Sequence, residues 1–236
     1  MIDIHAHILP GVDDGARTFD VSANMIRELW EQGVTKIIAT PHYVDETIYM
    51  SSKETNLELL LKLRQKLVDE KVGVEVYLGN EIYINEKIGD LIEKGEIATL
   101  ADSKYILVEL PMSGEYPGYK DVLVELMEDG YKVILAHPER YVAIQEDFEI
   151  VRELCDAGIL LQCNMGSIIG QYGKSAKKTI QKLAKNKMIF AFGSDIHHCH
   201  DRRDLLVAQD RLKKYYNDTE LAILLVDNPG KILKLI

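Results

Sequence analysis

The sequence predicts an α/β fold in which parallel strands close into a barrel, and three observations carry that prediction. Seven short apolar runs alternate with stretches of helical period along all 236 residues. Most runs are continuously apolar rather than alternating, as parallel strands covered by helices are. Nearly every run is followed within a few residues by a histidine, aspartate or glutamate. In a parallel barrel the C-terminal strand ends share one mouth, where chemistry is placed. An open doubly wound sheet gathers such residues at a single switch point instead. No composition break, linker or internal repeat interrupts the pattern, so one domain over 1–236 is expected.

The elements follow in order. The run 2–5 delivers His5 and His7. A helix over 20–32 places Met25, Ile26, Leu29 and Trp30 on one face and stops at Gly33. The run 35–40 delivers His42, and a helix over 54–71 carries Leu57, Leu60, Leu61 and Val68 as its stripe. The run 74–79 delivers Glu81 ahead of a helix over 86–94. The run 105–110 contains Glu109 and precedes a helix over 119–129. The run 132–137 ends in His137, before a helix over 148–157. A strand over 159–164 leads to a helix over 174–186. The run 189–193 delivers Asp195 and His197, followed by a helix over 203–216 and two short ones after Asp218 and Pro229. The longest loops, 41–53, 111–118 and 165–173, rim the expected mouth.

Composition narrows the function. A net charge of −10 argues against bulk nucleic-acid binding through a basic surface. Three cysteines, Cys155, Cys163 and Cys199, are too few and too irregular for a disulfide framework. No apolar stretch has transmembrane length, and the N-terminus lacks the basic and apolar regions of a signal peptide. A cytoplasmic protein without membrane insertion is expected.

His5 and His7 are two residues apart in an extended run, so both rings reach one point. Asp195 and His197 repeat that spacing. With Asp14, His42, Glu81, Glu109 and His137 they make a set of nitrogen and oxygen ligands without thiolate. Such a set fits Mn²⁺, Fe²⁺ or Zn²⁺ and excludes a cysteine-based structural zinc site. It is too large for one ion and fits three divalent ions with a bridging carboxylate. Three divalent ions outweigh the four carboxylates, so an acidic protein can hold an anion trap there. Arg140 and Arg202 lie beside ligands, with Arg203 the alternative to Arg202, and are suited to a bidentate hold on phosphate. Tyr43, Tyr49, Tyr116, Tyr119, Tyr141 and Tyr172 lie in or beside the mouth loops, where an aryl substrate could stack.

At this point a resemblance is specific. The segments MIDIHAHILPGVDDGA, ATPH, GNEIY, ILVELP, AHPERY, GSDIH and DNPGKIL resemble motifs of the polymerase-and-histidinol-phosphatase superfamily. Within it they are similar to bacterial manganese-dependent protein-tyrosine phosphatases of capsule and exopolysaccharide operons. The resemblance implies a distorted seven-stranded (β/α)7 TIM-like barrel with a trinuclear site. It implies one ion on His5, His7, Glu81 and Asp195, with Glu81 bridging to a second ion on Glu109 and His137. Asp14, His42 and His197 hold the third. It implies Mn²⁺, phosphate-binding Arg140 and Arg202, and phosphotyrosines on the tail of a partner tyrosine autokinase as substrate. His198, Cys199 and His200 form a ligand-rich loop that the pattern does not include.

The expected reaction is in-line attack on phosphorus by a hydroxide bridging metals, without a covalent enzyme intermediate. A cysteine route needs an arginine six residues after the nucleophile, and Leu161, Ile169 and Leu205 stand there instead. His42 is the candidate general acid. The alternatives are a small-molecule phosphoesterase resembling histidinol phosphatase, a nuclease, an amidohydrolase, and a non-catalytic docking module.

Overall fold

Strand β1 (Ile2–Ala6) is followed by helix α1 (Phe19–Glu31), which Thr18 caps by accepting from the Val21 amide. The computed structural model describes residues 1–114, 117–199 and 204–235. The chain then alternates: β2 (Lys36–Ala39), β3 (His42–Tyr43), α2 (Lys53–Asp69), β4 (Glu75–Leu78), β5 (Glu81–Tyr83), α3 (Ile88–Glu93), β6 (Tyr105–Glu109) and α4 (Tyr119–Glu128). Next come β7 (Lys132–Ala136), α5 (Val142–Glu146), α6 (Glu149–Asp156), β8 (Leu160–Asn164), α7 (Met165–Ile169), α8 (Gly173–Lys185) and β9 (Ala191–Gly193). Helices α9 (Leu205–Leu212), α10 (Asp218–Ala222) and α11 (Asn228–Ile232) follow, the last two joined by a π turn.

All strand pairs are parallel, in the orders β1-β2-β4 and β3-β5-β6-β7-β8-β9. The sheets curl toward each other: Ala6 bridges Ile196 beyond β9, and the His7 amide donates to the Ile196 carbonyl at 3.0 Å. The fold class is α/β with parallel strands, as expected, and the strands form two sheets that curl toward each other.

Seven strands are expected from sequence, and nine segments are present, because two runs break side by side. Thr40-Pro41 separates β2 from β3, and Gly79-Asn80 separates β4 from β5. Pro41 has no amide to donate to a ladder. Its carbonyl accepts from the Glu81 amide and the Asn80 side chain instead. A Cβ at Gly79 would lie 2.7 Å from Leu100 Cδ2 and 3.3 Å from Leu100 Cα, so a larger residue would push Leu100 aside. Beyond the breaks, His42 pairs directly with Glu81. The breaks thus set two site residues side by side.

A second irregularity acts on β1. Asp3 pairs with Ile37 but Ala6 with Ala39, so β1 carries one extra residue against β2. A bulge of this kind re-aims side chains. Ile2 and Ile4 pack with Ile38, Leu107, Ile134 and Ala191 in an inner cluster, while Ala6 joins the larger cluster under the helices. His5 and His7 turn toward the site.

Ile232 and Leu233, at the end of the chain, complete the inner cluster, and Lys234 Nζ donates to the Asp102 carbonyl. The C-terminal segment therefore plugs the end of the sheet opposite the ligands. Sequence periodicity misassigned one stripe, one loop and Trp30, which is exposed although Met25, Ile26 and Leu29 of its expected face are buried. In α2 the buried residues are Asn56, Leu60, Leu63 and Leu67, whereas Leu57, Leu61 and Val68 are exposed. The expected loop 165–173 contains α7, which neither its length nor its apolar content announced.

Candidate metal centre

Each expected ligand among the described residues comes from a strand end or the loop just after it. His5 lies in β1, and His7 follows it. His42 opens β3, Glu81 opens β5, and Glu109 ends β6. His137 follows β7 in the left-handed region at φ 32°, and Asp195 follows β9 at φ 52°. Left-handed residues other than glycine cost about 1–3 kcal/mol, a strain that clusters at functional sites. Here the two turns swing both side chains toward the other ligands.

The side chains converge. His5 Nε2 and His7 Nε2 are 3.1 Å apart and lie 3.1 Å and 3.2 Å from Glu81 Oε2. His42 Nδ1 is 3.2 Å from the same oxygen, and His137 Nε2 is 2.8 Å from Glu81 Oε1. Glu109 lies 3.6 Å from His137 and 3.7 Å from His42. Asp195 Oδ1 is 3.6 Å from His5, 3.5 Å from His7 and 3.4 Å from His197. Asp14 Oδ1 lies 3.4 Å from His197 and 3.6 Å from His42. Two ligands of one ion at about 2.0–2.2 Å are themselves roughly 3–3.5 Å apart. His5, His7 and Glu81 meet that spacing, and two further groups, His42 with Glu81 and Glu109 and His7 with Asp14, His42 and His197, each bring their ligand atoms within 4.8 Å of one another.

The donor chemistry fits divalent cations. Glu81 Oε2, Asp195 Oδ1, His42 Nδ1 and His137 Nδ1 are buried without a hydrogen-bond partner. Such orphans are costly, about 1–3 kcal/mol each or more when charged, unless another species meets them. Without cations the cluster titrates abnormally. Burial lifts the Glu109 carboxyl to about 9, with the negative charges of Glu81 and Asp195 adding to the effect. Burial opposes ionisation of Glu81 and Asp195 too, but surrounding imidazoles, His5 foremost, hold both below the usual carboxylate range. His7 is buried, yet its hydrogen bond to Asp13 and the adjacent Glu81 carboxylate raise it well above an ordinary histidine. Burial lowers His42. Asp14 is held at about 2 by its hydrogen bond to His197.

Residues around the ligands fix their orientation, and the sequence reading missed them. The Asp13 carboxylate accepts from His7 Nδ1 at 2.8 Å, from the Gly15 amide at 2.9 Å and from the His42 amide at 3.0 Å. A Cβ at Gly15 would lie 2.2 Å from the His7 carbonyl, so the DDGA turn needs glycine there. Gln162 Oε1 accepts from His5 Nδ1 at 2.8 Å, which turns His5 Nε2 toward the cluster. Gln162 Nε2 donates to Asn164, whose Nδ2 donates to Asp195 Oδ2 at 2.6 Å. Asp13 neighbours an expected ligand in the sequence, which was a usable signal. Gln162 and Asn164 have period-2 spacing on an otherwise apolar strand, and buried amides there mark an inward polar face.

Arg140 Nη1 donates to Asp195 Oδ2 at 2.8 Å, and its guanidinium lies 4.6 Å from the Tyr172 ring centre. It stands a quarter exposed at the edge of the cluster. Arg202, Arg203, His200 and Tyr116 lie outside the described residues. Of the other expected rim tyrosines, Tyr43 and Tyr141 are buried and present no stacking face to the mouth. The Tyr141 hydroxyl donates to the Ala136 carbonyl and accepts from the Leu110 amide, bracing the strand ends. Tyr49 stacks on His42 at 6.1 Å, Tyr172 on Arg140, and Tyr119 lines a separate apolar cavity. Cys199 points away, with Sγ bonded to the Val21 carbonyl. Cys163 is fully buried, and burial raises the Cys155 thiol to about 11. None is an activated nucleophile.

Fold and site together define a class: a curled parallel α/β sheet with clustered histidines and carboxylates able to hold metal at its C-terminal strand ends. Distant structures share the fold alone: the phosphotriesterase homology protein of Escherichia coli (13% identity, TM-score 0.63, covering 98% of this chain and 97% of that one), and the phosphotriesterase of Mycobacterium tuberculosis (14%, TM-score 0.58, 99% and 93%). The chain belongs to the capsular polysaccharide synthesis CpsB/CapC family, whose pattern matches residues 1–234. It is 33% identical to the tyrosine-protein phosphatase YwqE of Bacillus subtilis, over 99% of this chain and 92% of that one. It is 31% identical to the tyrosine-protein phosphatase CpsB of Streptococcus pneumoniae, over 99% and 98%. Its structure matches one from a crystallographic study of YwqE and CpsB, described as metal-dependent tyrosine phosphatases, with TM-score 0.92, 31% identity and coverage of 99% and 94%.

Proposed function

We propose that this chain is a metal-dependent protein-tyrosine phosphatase acting on a tyrosine autokinase that regulates capsular or exopolysaccharide synthesis. The observation that supports it most is the trio of ligand groups beside an arginine anchored to one of their carboxylates. We read β2 with β3, and β4 with β5, as single interrupted strands, giving a distorted seven-stranded barrel in one domain. Three divalent ions, Mn²⁺ by preference, are assigned to the site. His5, His7, Glu81 and Asp195 hold one, Glu81, Glu109 and His137 a second, and Asp14, His42 and His197 the third.

Ions held there supply an activated water and neutralise phosphoryl oxygens. The residues do the rest. Arg140 offers a fixed guanidinium to the phosphate, since Asp195 and Tyr172 prevent it from swinging away. Burial lowers the proton affinity of His42, which suits a ligand better than a proton donor. Tyrosinate, with a pKa near ~10, leaves with little protonation. No helix among the described residues is long and apolar enough to cross a membrane. A cytoplasmic location, on the same side as a kinase tail, completes the reading.

Elemental analysis paired with hydrolysis assays tests it. The protein should release phosphate from phosphotyrosine peptides, lose that activity on chelation and regain it with Mn²⁺. Preference for histidinol phosphate by about a hundredfold would move the reading to a small-molecule phosphoesterase.

A further inference from the structure

Helix α8 carries a charge opposite to that of the chain, with five lysines and no acidic residue. All 38 aspartates and glutamates lie outside residues 157–194, whereas that stretch holds six lysines. Lys182 sits over the Phe148 ring, and Lys187 pairs with Glu220. Lys174, Lys177, Lys178 and Lys185, with Arg211 and Lys214 opposite, make no ion pair among the described residues. Lys174, Lys177, Gln181 and Lys185 recur at helical three- and four-residue spacing, so they share one face of α8. Like charges at that spacing cost helix stability by a few tenths of a kcal/mol per pair, roughly. The fold gains nothing visible in return.

The face is concave. Lys177 and Gln181 line one wall of a groove of about 480 Å³, Arg211 and Lys214 the other, and Ile168 and Ile169 contribute apolar surface. Along the chain the groove adjoins the mouth, since Ile169 in its floor precedes Tyr172 by three residues. Tyr172, stacked on Arg140 and bonded to Asp195, precedes Lys174 by two residues.

We propose that this groove holds an acidic segment of the protein substrate, a few residues from the phosphotyrosine in the cluster. The inference rests on the phosphatase reading and names what it adds: recognition of the substrate beyond its phosphate. Unpaired cations against an apolar surface fit an extended chain of aspartates or glutamates whose stems pack while their charges pair. A flat lipid surface fits a concave groove poorly.

The test compares three substrates at matched metal content. One is a phosphotyrosine peptide with three acidic residues on one flank. The second has Asn and Gln in those places, and the third is p-nitrophenyl phosphate. The acidic peptide should show a KM about fivefold lower than the neutral one, and the gap should close at roughly 0.5 M salt. The double variant Lys177→Glu/Lys214→Glu should raise KM for the acidic peptide about tenfold. It should leave kcat and the p-nitrophenyl phosphate kinetics unchanged. Equal KM for both peptides, unaffected by the variant, would overturn the inference while leaving the phosphatase reading intact. Failure of the wild type on every phosphotyrosine substrate would instead remove that reading. Binding of phosphatidylserine vesicles that the variant abolishes, with peptide KM unmoved, would overturn it in favour of a lipid surface.

Discussion

The two ends of the curled sheet are built on opposite principles. At the closed end, Ile2, Ile4, Ile38, Leu107 and Ile134 pack with Ile232 and Leu233, all nearly or fully buried. Each isoleucine or leucine buried there contributes about 1.5–3 kcal/mol. At the open end the interior holds imidazoles and carboxylates with orphaned lone pairs, and His137 and Asp195 are left-handed. The same strands supply both ends, a few residues apart. The closed end therefore carries the stability that the open end spends on holding charge in place. Fold and site are separable in energy, though not in sequence.

That separation can be broken or sharpened experimentally. The largest effect is expected for Glu81→Gln, whose carboxylate lies within 3.2 Å of four imidazoles. Activity on a phosphotyrosine peptide should fall by about 10³-fold or more, with the circular dichroism spectrum retained. Loss of folded structure instead would show that the site helps hold the sheet together. Ile4→Ala should do the reverse. A cavity in the closed end should cost about 2–5 kcal/mol and lower Tm by roughly 5–15 °C, while kcat per folded molecule stays unchanged.

A third prediction concerns pH. Glu109 is lifted to about 9 without cations, above its unfolded value near ~4.3. A raised pKa contributes stability that is full below the unfolded value and lost as pH rises through the folded one. Metal-free protein should therefore lose stability between about pH 5 and 9, and Mn²⁺ should restore the most at the alkaline end. Cation binding should release protons, measurable by calorimetry in buffers of different ionisation enthalpy. A cation-induced Tm gain that shrinks as pH rises would contradict the assignment.

The smallest effect is expected at the thiols. With Cys155 at about 11, roughly one molecule in 3,000 is thiolate there at pH 7.5. Iodoacetamide at that pH should leave activity intact, and rapid inactivation with single-site labelling would revive a cysteine route.

Much of this was legible beforehand. The apolar runs around Ile4, Ile38, Leu107 and Ile134 fall in strands, and His5, His7, Asp14, His42, Glu81, Glu109, His137, Asp195 and His197 lie together because strand ends in a parallel sheet must. Periodicity misplaced the α2 stripe by one position, since its helical pattern is nearly as apolar outside as inside. Rim tyrosines could not be told from buried braces, because tyrosine serves both purposes.

By itself, the sequence determined the order of most strands and helices and the histidines and carboxylates that follow the strands, for these depend on local apolar period and residue chemistry. The tertiary structure alone decided the paired breaks at Pro41 and Gly79, the bulge that aims His5, and the partners Asp13, Gln162, Asn164 and Tyr172. Those choices rest on contacts between segments far apart in the chain, such as Gln162 with His5 or Asn164 with Asp195. No local pattern encodes which distant atom a buried polar group will meet, whereas burial without a partner is too costly for the group to go unmet.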